Sequence, residues 1–406
     1  MERNYAKLKV TPKAERALRQ GHPWVYGEEI TSSEGSWTNG DIVDVLSPKG
    51  RWLGSGFVND HSKIRVRILS RNTNDRFDEA FFRRRVSYAL RYRQTVMGDD
   101  FPACRLIFGE ADQFPGLTVD RFEDILVAEV LSLGLDRRKE LIFRLLVEEL
   151  RELGVSVRAV YERSDSPLRA KEGLENVSGF VSLPGLDNDP DGHVIITENG
   201  IRYDVDYICG QKTGFFLDQK YNRLAAAKLA KGRRVLDCFT HTGAFALNAA
   251  KAGAAHVTAV DISADALAQA SRNASLNDLT DRVDFRQADV FDFLTEAAKG
   301  KPDWDYIILD PPAFTKSGAT ADSAYRGYRE INRRALQLLP RGGYLATCSC
   351  SHFMPAPRFE QMLRDAAADA GVSLRQIEAR QQAPDHPILW GVPETDYLKF
   401  YLFQVV

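Results

Sequence analysis

Residues 233–245, Arg233-Arg-Val-Leu-Asp237-Cys-Phe-Thr-His-Thr-Gly243-Ala-Phe245, decide the architecture. A short apolar run ends in an aspartate, turns through a stretch with a single glycine, and enters an Ala-rich segment. This is the strand–turn–helix step of an α/β sheet. The step repeats downstream. His256–Val260, Val283–Arg286, Tyr306-Ile-Ile-Leu-Asp310 and Tyr344-Leu-Ala-Thr-Cys-Ser349 read as short buried strands, with helical segments at Ala244–Ala252, Ala264–Asn273 and Ala324–Leu339 between them. Alternation of this kind predicts a mostly parallel sheet with helices on both faces. The closing run Tyr397-Leu-Lys-Phe-Tyr-Leu-Phe-Gln-Val405 predicts an extra strand at the sheet's end, whose apolar character would suit a subunit contact in a homodimer.

Upstream of the sheet the punctuation changes. The first seventy residues read as short strands and turns, among them Asp41–Leu46, the Ser47-Pro-Lys-Gly50 turn and Lys63-Ile-Arg-Val-Arg-Ile-Leu69. The strict alternation of that last run predicts a half-buried strand with Lys63, Arg65 and Arg67 on one face, suited to phosphate contact or to solvent. Arg76–Met97 reads as a helix carrying the Arg83-Arg84-Arg85 run with Arg91 and Arg93. From Cys104, two apolar runs around Phe114-Pro-Gly116, a helix near Leu135–Leu153 and a strand at Arg158–Glu162 predict a small α+β unit. Ser164–Gly192 has loop composition and holds the last boundary. The expected domains are therefore 1–74, 75–190 and 191–406.

Composition sets the limits. In 406 residues, 44% hydrophobic and 27% charged describe an ordinary globular chain with room for two or three domains. No apolar run approaches the roughly 18 residues of a membrane span, and the opening Met1–Lys7 lacks a signal peptide's apolar segment, so no membrane contact and a cytoplasmic location are expected. The five cysteines, Cys104, Cys209, Cys238, Cys348 and Cys350, have no paired C-x-x-C spacing, which argues against disulfides and a metal site. Residues 1–100 carry a net charge of +5 and the remainder −7. A basic amino-terminal third confines any polyanion footprint to one part of the chain.

Ligands of an open α/β sheet bind at the carboxyl ends of its strands, where Asp237, Asp261, Asp289 and Asp310 stand. Any one of them is as well explained as a helix cap. Four at successive strand ends point to a ligand. The first turn lacks the three glycines that a pyrophosphate requires and has no G-K-[ST], which disfavours dinucleotides and nucleoside triphosphates. Asp261, 24 residues after Asp237, is placed to accept from both hydroxyls of a ribose. A cofactor with a ribose, an adenine and no phosphate is S-adenosylmethionine.

Asp310-Pro311-Pro312-Ala-Phe314 offers a stiffened backbone, a carboxylate for the edge of a base and a ring for its face. Thr347-Cys348-Ser349-Cys350-Ser351-His352 ends the next strand. A thiol there can add to C6 of a pyrimidine and activate C5 toward a methyl donor. Cys350 lies nearer the loop and is the expected nucleophile, Cys348 and Cys238 read as small core residues, and His352 reads as a loop residue. Two alternatives stay open: a base-nitrogen methyltransferase working through Asp310-Pro-Pro, and an RNA-binding assembly factor with a vestigial methyltransferase fold.

Across nearly its full length the chain resembles the large-subunit ribosomal RNA cytosine-5 methyltransferase I family. The matching motifs are Lys212-Thr-Gly-Phe-Phe-Leu-Asp-Gln219, Leu236-Asp-Cys-Phe-Thr-His-Thr-Gly-Ala-Phe245, Asp310–Phe314, Ser349-Cys350-Ser351 and Gly21-His-Pro-Trp-Val-Tyr26. The resemblance implies a PUA domain over 1–74, a central α+β domain and a class I Rossmann-like methyltransferase domain. It implies Cys350 as nucleophile and Asp310 as the group orienting the base. It also implies a cofactor site built from Lys212, Gln219, Asp237, Phe239, Thr242, Gly243, Asp261, Asp289 and Asp310. The implied substrate is 23S ribosomal RNA or a large-subunit precursor. Motif D-P-P-A-F carries no second cysteine, so product release would use another base.

Overall fold

Val235, Leu236 and Cys238 are fully buried, and the strand they form, β1 (Arg234–Cys238), is flanked on both sides by parallel neighbours. A strand buried on both faces needs a continuous apolar run rather than alternation, which is what this segment supplies. Its neighbours are β2 (His256–Asp261), β3 (Val283–Gln287), β4 (Tyr306–Leu309) and β5 (Tyr344–Ser349), followed by β6 (Leu374–Arg380) and β7 (Lys399–Val405). The seven-stranded order is β3-β2-β1-β4-β5-β7-β6. The first five strands are parallel, and β7 runs antiparallel between β5 and β6. The order reverses at β1, so the carboxyl ends of β1 and β4 open a crevice, the place where such sheets bind ligands. Helices Ala244–Lys251, Ala264–Leu276, Val290–Ala297, Ala321–Leu338 and Ala356–Ala370 follow the strands.

The computed structural model describes residues 4–187, 191–300, 303–314 and 320–406. The chain divides into two compact units: residues 1–194, 205–217 and 384–395 form the first, and residues 195–204, 218–383 and 396–406, with the seven-stranded sheet, the second. The first unit holds a six-stranded sheet in the order Trp24–Tyr26, Ile64–Ser70, Trp52–Val58, Ile42–Leu46, Ala6–Val10, Ile30–Glu34, closed on Leu8, Val10, Val43, Val45, Val58 and Val66. It also holds a five-stranded sheet, Ala103–Phe108 to Val177–Phe180, with helices Glu79–Met97 and Lys139–Glu152.

Three expectations need correction. The basic segment near Lys13 is a helix, Pro12–Arg19, because Thr11 caps the amide of Ala14 and proline occupies the first turn. The stretch read as a loop from Ser164 contains a helical turn at Arg169–Glu172 and the strand Val177–Phe180, held by buried Arg169, which donates to the Val130 carbonyl and pairs with Asp136. Asn188–Pro190, inside that stretch, lie outside the described residues. The final strand is also not at the sheet's end. β7 pairs on both edges and its side chains from Phe400 to Phe403 are buried, so it offers no face to a second subunit. Among the described residues no helix is long and apolar enough to cross a membrane, and no three His, Cys, Asp or Glu side chains gather as a metal site.

Candidate active site at the carboxyl ends of the central strands

After β1 the backbone turns sharply. Phe239, His241 and Gly243 all have positive φ, at 62°, 50° and 82°. The left-handed conformation costs a non-glycine residue about 1–2 kcal/mol, so two of these positions hold strain where glycine would be relaxed. Strain of this kind persists at sites that over-determine the backbone. Gly243 is required on a second ground: a Cβ there would sit 3.1 Å from that of Ala270. The turn brings the amide of His241 to Asp261 Oδ2 at 2.9 Å. Ser263 donates to the other oxygen at 2.9 Å. Each Asp261 oxygen keeps a lone pair for a further donor. Ile262, next in the chain, is 66% exposed, an apolar surface beside that carboxylate.

Asp237 is fully buried. Its Oδ2 accepts from the Thr240 hydroxyl (2.6 Å) and the Ala246 amide (3.0 Å), while Oδ1 has no hydrogen-bond partner. Burial pushes its carboxyl up to about 7, and the charges of Asp310 and Asp261 add to the rise. Asp310 follows β4 and is likewise pushed up to about 6 by burial, against the opposing pull of Arg223. The crevice is thus anionic and under-satisfied. A small cationic ligand would relieve both defects, and the sulfonium and ammonium of S-adenosylmethionine fit that description. Asp237, Asp261, Gly243 and Ile262 are the residues that would hold it.

The other expected residues divide. Gln219 donates to Asp310 Oδ1 at 3.0 Å. Thr242 presents its carbonyl to Asn273 (3.1 Å). Asp289 is a helix cap, accepting from the amides of Phe291 and Asp292 with one oxygen. Pro311 is buried and Pro312 exposed. The Phe314 ring is half-buried against Tyr328 (centroids 4.6 Å apart), Phe291 and Phe239. Lys212 and Gln219 fall in different units. Lys212 lies in the first, its ammonium over the Phe216 ring, where the neighbouring Thr213 hydroxyl donates to Asp120. On the strand Ile64–Ser70, Arg65 pairs with Asp60, and Arg67 with Glu172 and Glu110. Two of the three basic side chains expected on a phosphate-contacting face thus carry carboxylate partners.

β5 ends at Ser349, so Cys348 and Cys350 do not share one strand face. Cys348 is fully buried, its thiol pushed up by burial and by Asp310. Cys350, one residue past the strand, is half-buried, while His352 is exposed. Facing this end is a residue that the sequence reading passed over. Lys399, 4% exposed, opposes Ser349 across the β5–β7 ladder and donates to the carbonyls of Ser351 (2.6 Å) and Tyr397 (2.8 Å). Burial draws its ammonium down to about 8, with Cys350 and Asp396 pulling the other way. One lysine in the otherwise apolar run Leu398–Phe403 was the available signal. Asn222 and Arg380 were missed too, since Arg380 donates to Asn222 (3.1 Å), which donates to Gln219 (2.7 Å).

A family model for PUA-like domains matches residues 8–71, and one for S-adenosylmethionine-dependent methyltransferases matches residues 183–404. The chain is 41% identical over 403 residues to the ribosomal RNA large subunit methyltransferase I of Shewanella amazonensis, covering 98% of this chain and 99% of the relative. It is 40% identical to the protein of that name from Pseudoalteromonas atlantica, covering 99% and 100%. Two solved structures, a proposed SAM-dependent methyltransferase from Streptococcus mutans and SMU.776 complexed with SAH, each superpose with a TM-score of 0.83 at 22% identity over 98% of this chain and 100% of theirs. At that identity the likeness concerns the fold.

Proposed function

The chain belongs to the ribosomal RNA large subunit methyltransferase I family of S-adenosylmethionine-dependent enzymes, and from that premise we propose that it methylates C5 of a cytosine in large-subunit (23S) ribosomal RNA through a transient bond between Cys350 Sγ and C6. The observation that carries the proposal is the half-buried Cys350 just beyond β5, with the ammonium of Lys399 anchored on the adjoining Ser351 carbonyl. A cation there favours the thiolate, the form that attacks.

S-adenosylmethionine supplies an electrophilic methyl group, and the chain's residues do the rest. Cys350 adds to C6, which places electron density on C5 where a pyrimidine otherwise has little. Asp310, oriented by Gln219, accepts from the exocyclic amine of the base. Phe314 closes the stack on its wall of aromatic rings. After C5 is methylated, loss of its proton to a base expels the Cys350 sulfur and restores the ring. Residues 1–74 act in this reading as the PUA domain, 75–190 as the central domain and 191–406 as the transferase, in the cytoplasm.

The test is transfer of labelled methyl into unmodified large-subunit ribosomal RNA, followed by digestion to nucleosides. Label in 5-methylcytidine supports the proposal. Label in a base-nitrogen product would replace it with chemistry centred on Asp310-Pro-Pro, and no label with bound cofactor would favour a binding factor.

A further inference from the structure

Part of the basic character of the first hundred residues is spent on internal pairs. Arg83 meets Glu79 and Glu148, Arg84 meets Asp75, and Arg93 meets Asp112. Arg85 and Arg71 are held differently. Arg85 donates to the carbonyls of Leu69 (2.6 Å) and Gln113 (3.4 Å), and Arg71 to those of Gly21 (3.2 Å) and His22 (3.0 Å). Carbonyls hold a guanidinium in place without neutralising it. Burial weakens the hold of both on their protons, Arg85 down to about 10, so each gains from an anion brought alongside. Both line one cleft of about 980 Å³ in the first unit. The carboxylates on its wall, Asp75, Glu110 and Asp112, are matched by Arg84, Arg67 and Arg93.

The same cleft is lined with aromatic rings open to solvent. Arg84, Tyr88 and Tyr92 are spaced four apart on the helix Glu79–Met97 and so form one row. Tyr88 is 62% exposed. Trp390 stands between the lining residues Leu389 and Gly391 and is 96% exposed. It is displayed by a pinned turn: the Leu389 amide donates to the Thr395 hydroxyl oxygen at 2.9 Å, and the Val392 amide donates to the Leu389 carbonyl at 2.7 Å. The other four tryptophans donate their indole N–H to Glu110, Asp60, Asp44 and Thr258. A large apolar ring held fully in water marks a contact surface. Uncompensated guanidinium groups with exposed rings between them are what a single strand requires, phosphates on the cations and bases on the rings.

We propose that this cleft, walled by Arg71, Arg85, Tyr88 and Tyr92 and rimmed by Trp390, is a docking site for single-stranded RNA, separate from the base-modifying site of the second unit. The proposal rests on the reading of RNA as substrate. The probes are unmodified large-subunit ribosomal RNA and a short single-stranded oligoribonucleotide, added to the full chain. Wild type binds both, its tryptophan fluorescence is quenched on binding, and affinity falls steeply with salt. Trp390→Phe retains binding but loses the quench. Tyr88→Ala with Trp390→Ala weakens the oligoribonucleotide by about tenfold or more, while S-adenosylmethionine binding by calorimetry is unchanged. Arg71→Gln with Arg85→Gln lowers the salt slope by about 1.4. If wild type binds RNA and transfers methyl while the Tyr88 and Trp390 variants match it in affinity and quench, the cleft assignment is overturned and the substrate reading survives. If wild type binds neither probe, both fall.

Discussion

The side-chain amide of Gln219 donates to Asp310 Oδ1 at 3.0 Å, and its direction is set from behind. Arg380 can only donate, so Asn222 turns its oxygen to Arg380 and its nitrogen to Gln219, leaving the Gln219 nitrogen for Asp310. The relay fixes a neutral donor against a carboxyl already pushed up to about 6 by burial. Gln219→Glu would set a second carboxylate there and raise that value further. The acid limb of the transfer rate should then move to higher pH, measured as kcat against pH. A limb that stays in place would show that another group titrates.

Asp237 predicts a stability signature. Its folded value, about 7, lies above the ordinary 3.8 of an aspartate. The folded state therefore holds a proton that the unfolded chain releases, and stability from this group is fully present below about pH 4 and lost as pH rises through about 7. Asp237→Asn keeps acceptors for Thr240 and Ala246 without the charge. Its melting temperature relative to wild type should climb between pH 4 and 7, and S-adenosylmethionine should bind about 10- to 100-fold more weakly at pH 8. A constant difference across that window would remove Asp237 from the titration.

Lys399 ties β7 to the loop bearing Cys350. Lys399→Met should cut transfer by about 100-fold with KM for RNA little changed. Because the ammonium discharges near 8, wild type should lose rate above that pH. Lys399→Arg, which stays charged, should hold its rate further into alkali. Full activity in the Met variant at every pH would leave Lys399 a purely structural residue.

Arg93 is wholly buried, with both terminal guanidinium nitrogens on Asp112 (2.5 and 2.7 Å) and further bonds to the carbonyls of Arg105 and Asp385. Arg93→Met strands the Asp112 charge and should cost about 3–5 kcal/mol by urea unfolding. Replacing Asp112 by Asn in the same background should recover part of it.

The α/β sheet was legible because the strands buried on both faces are short apolar runs, two of them closed by aspartate at Asp237 and Asp310. Of the two extra strands, β7 was legible as a strand though not its interior place, and β6 was not legible at all. β6 is a largely polar run at an exposed edge, its alternation broken at Arg375-Gln376, and only its pairing with β7 reveals that the last strand is interior. At the site, strand-end carboxylates announce themselves by position, whereas Lys399, Asn222 and Arg380 reach it through contacts distant in sequence. The charge asymmetry was visible, but the sum over residues 1–100 counts Arg83 and Arg93 as available, and only their distances to Glu148 and Asp112 remove them.

The most direct test of the thiol mechanism uses ribosomal RNA carrying 5-fluorocytidine, which has no C5 proton to lose, so the enzyme stays attached after methyl transfer. Digestion and mass spectrometry of the wild-type complex should find the nucleotide on the peptide containing Cys350, with none from Cys350→Ala, which should still bind S-adenosylmethionine. Methylation of ordinary RNA by Cys350→Ala at the wild-type rate, or attachment through another residue, would contradict the account.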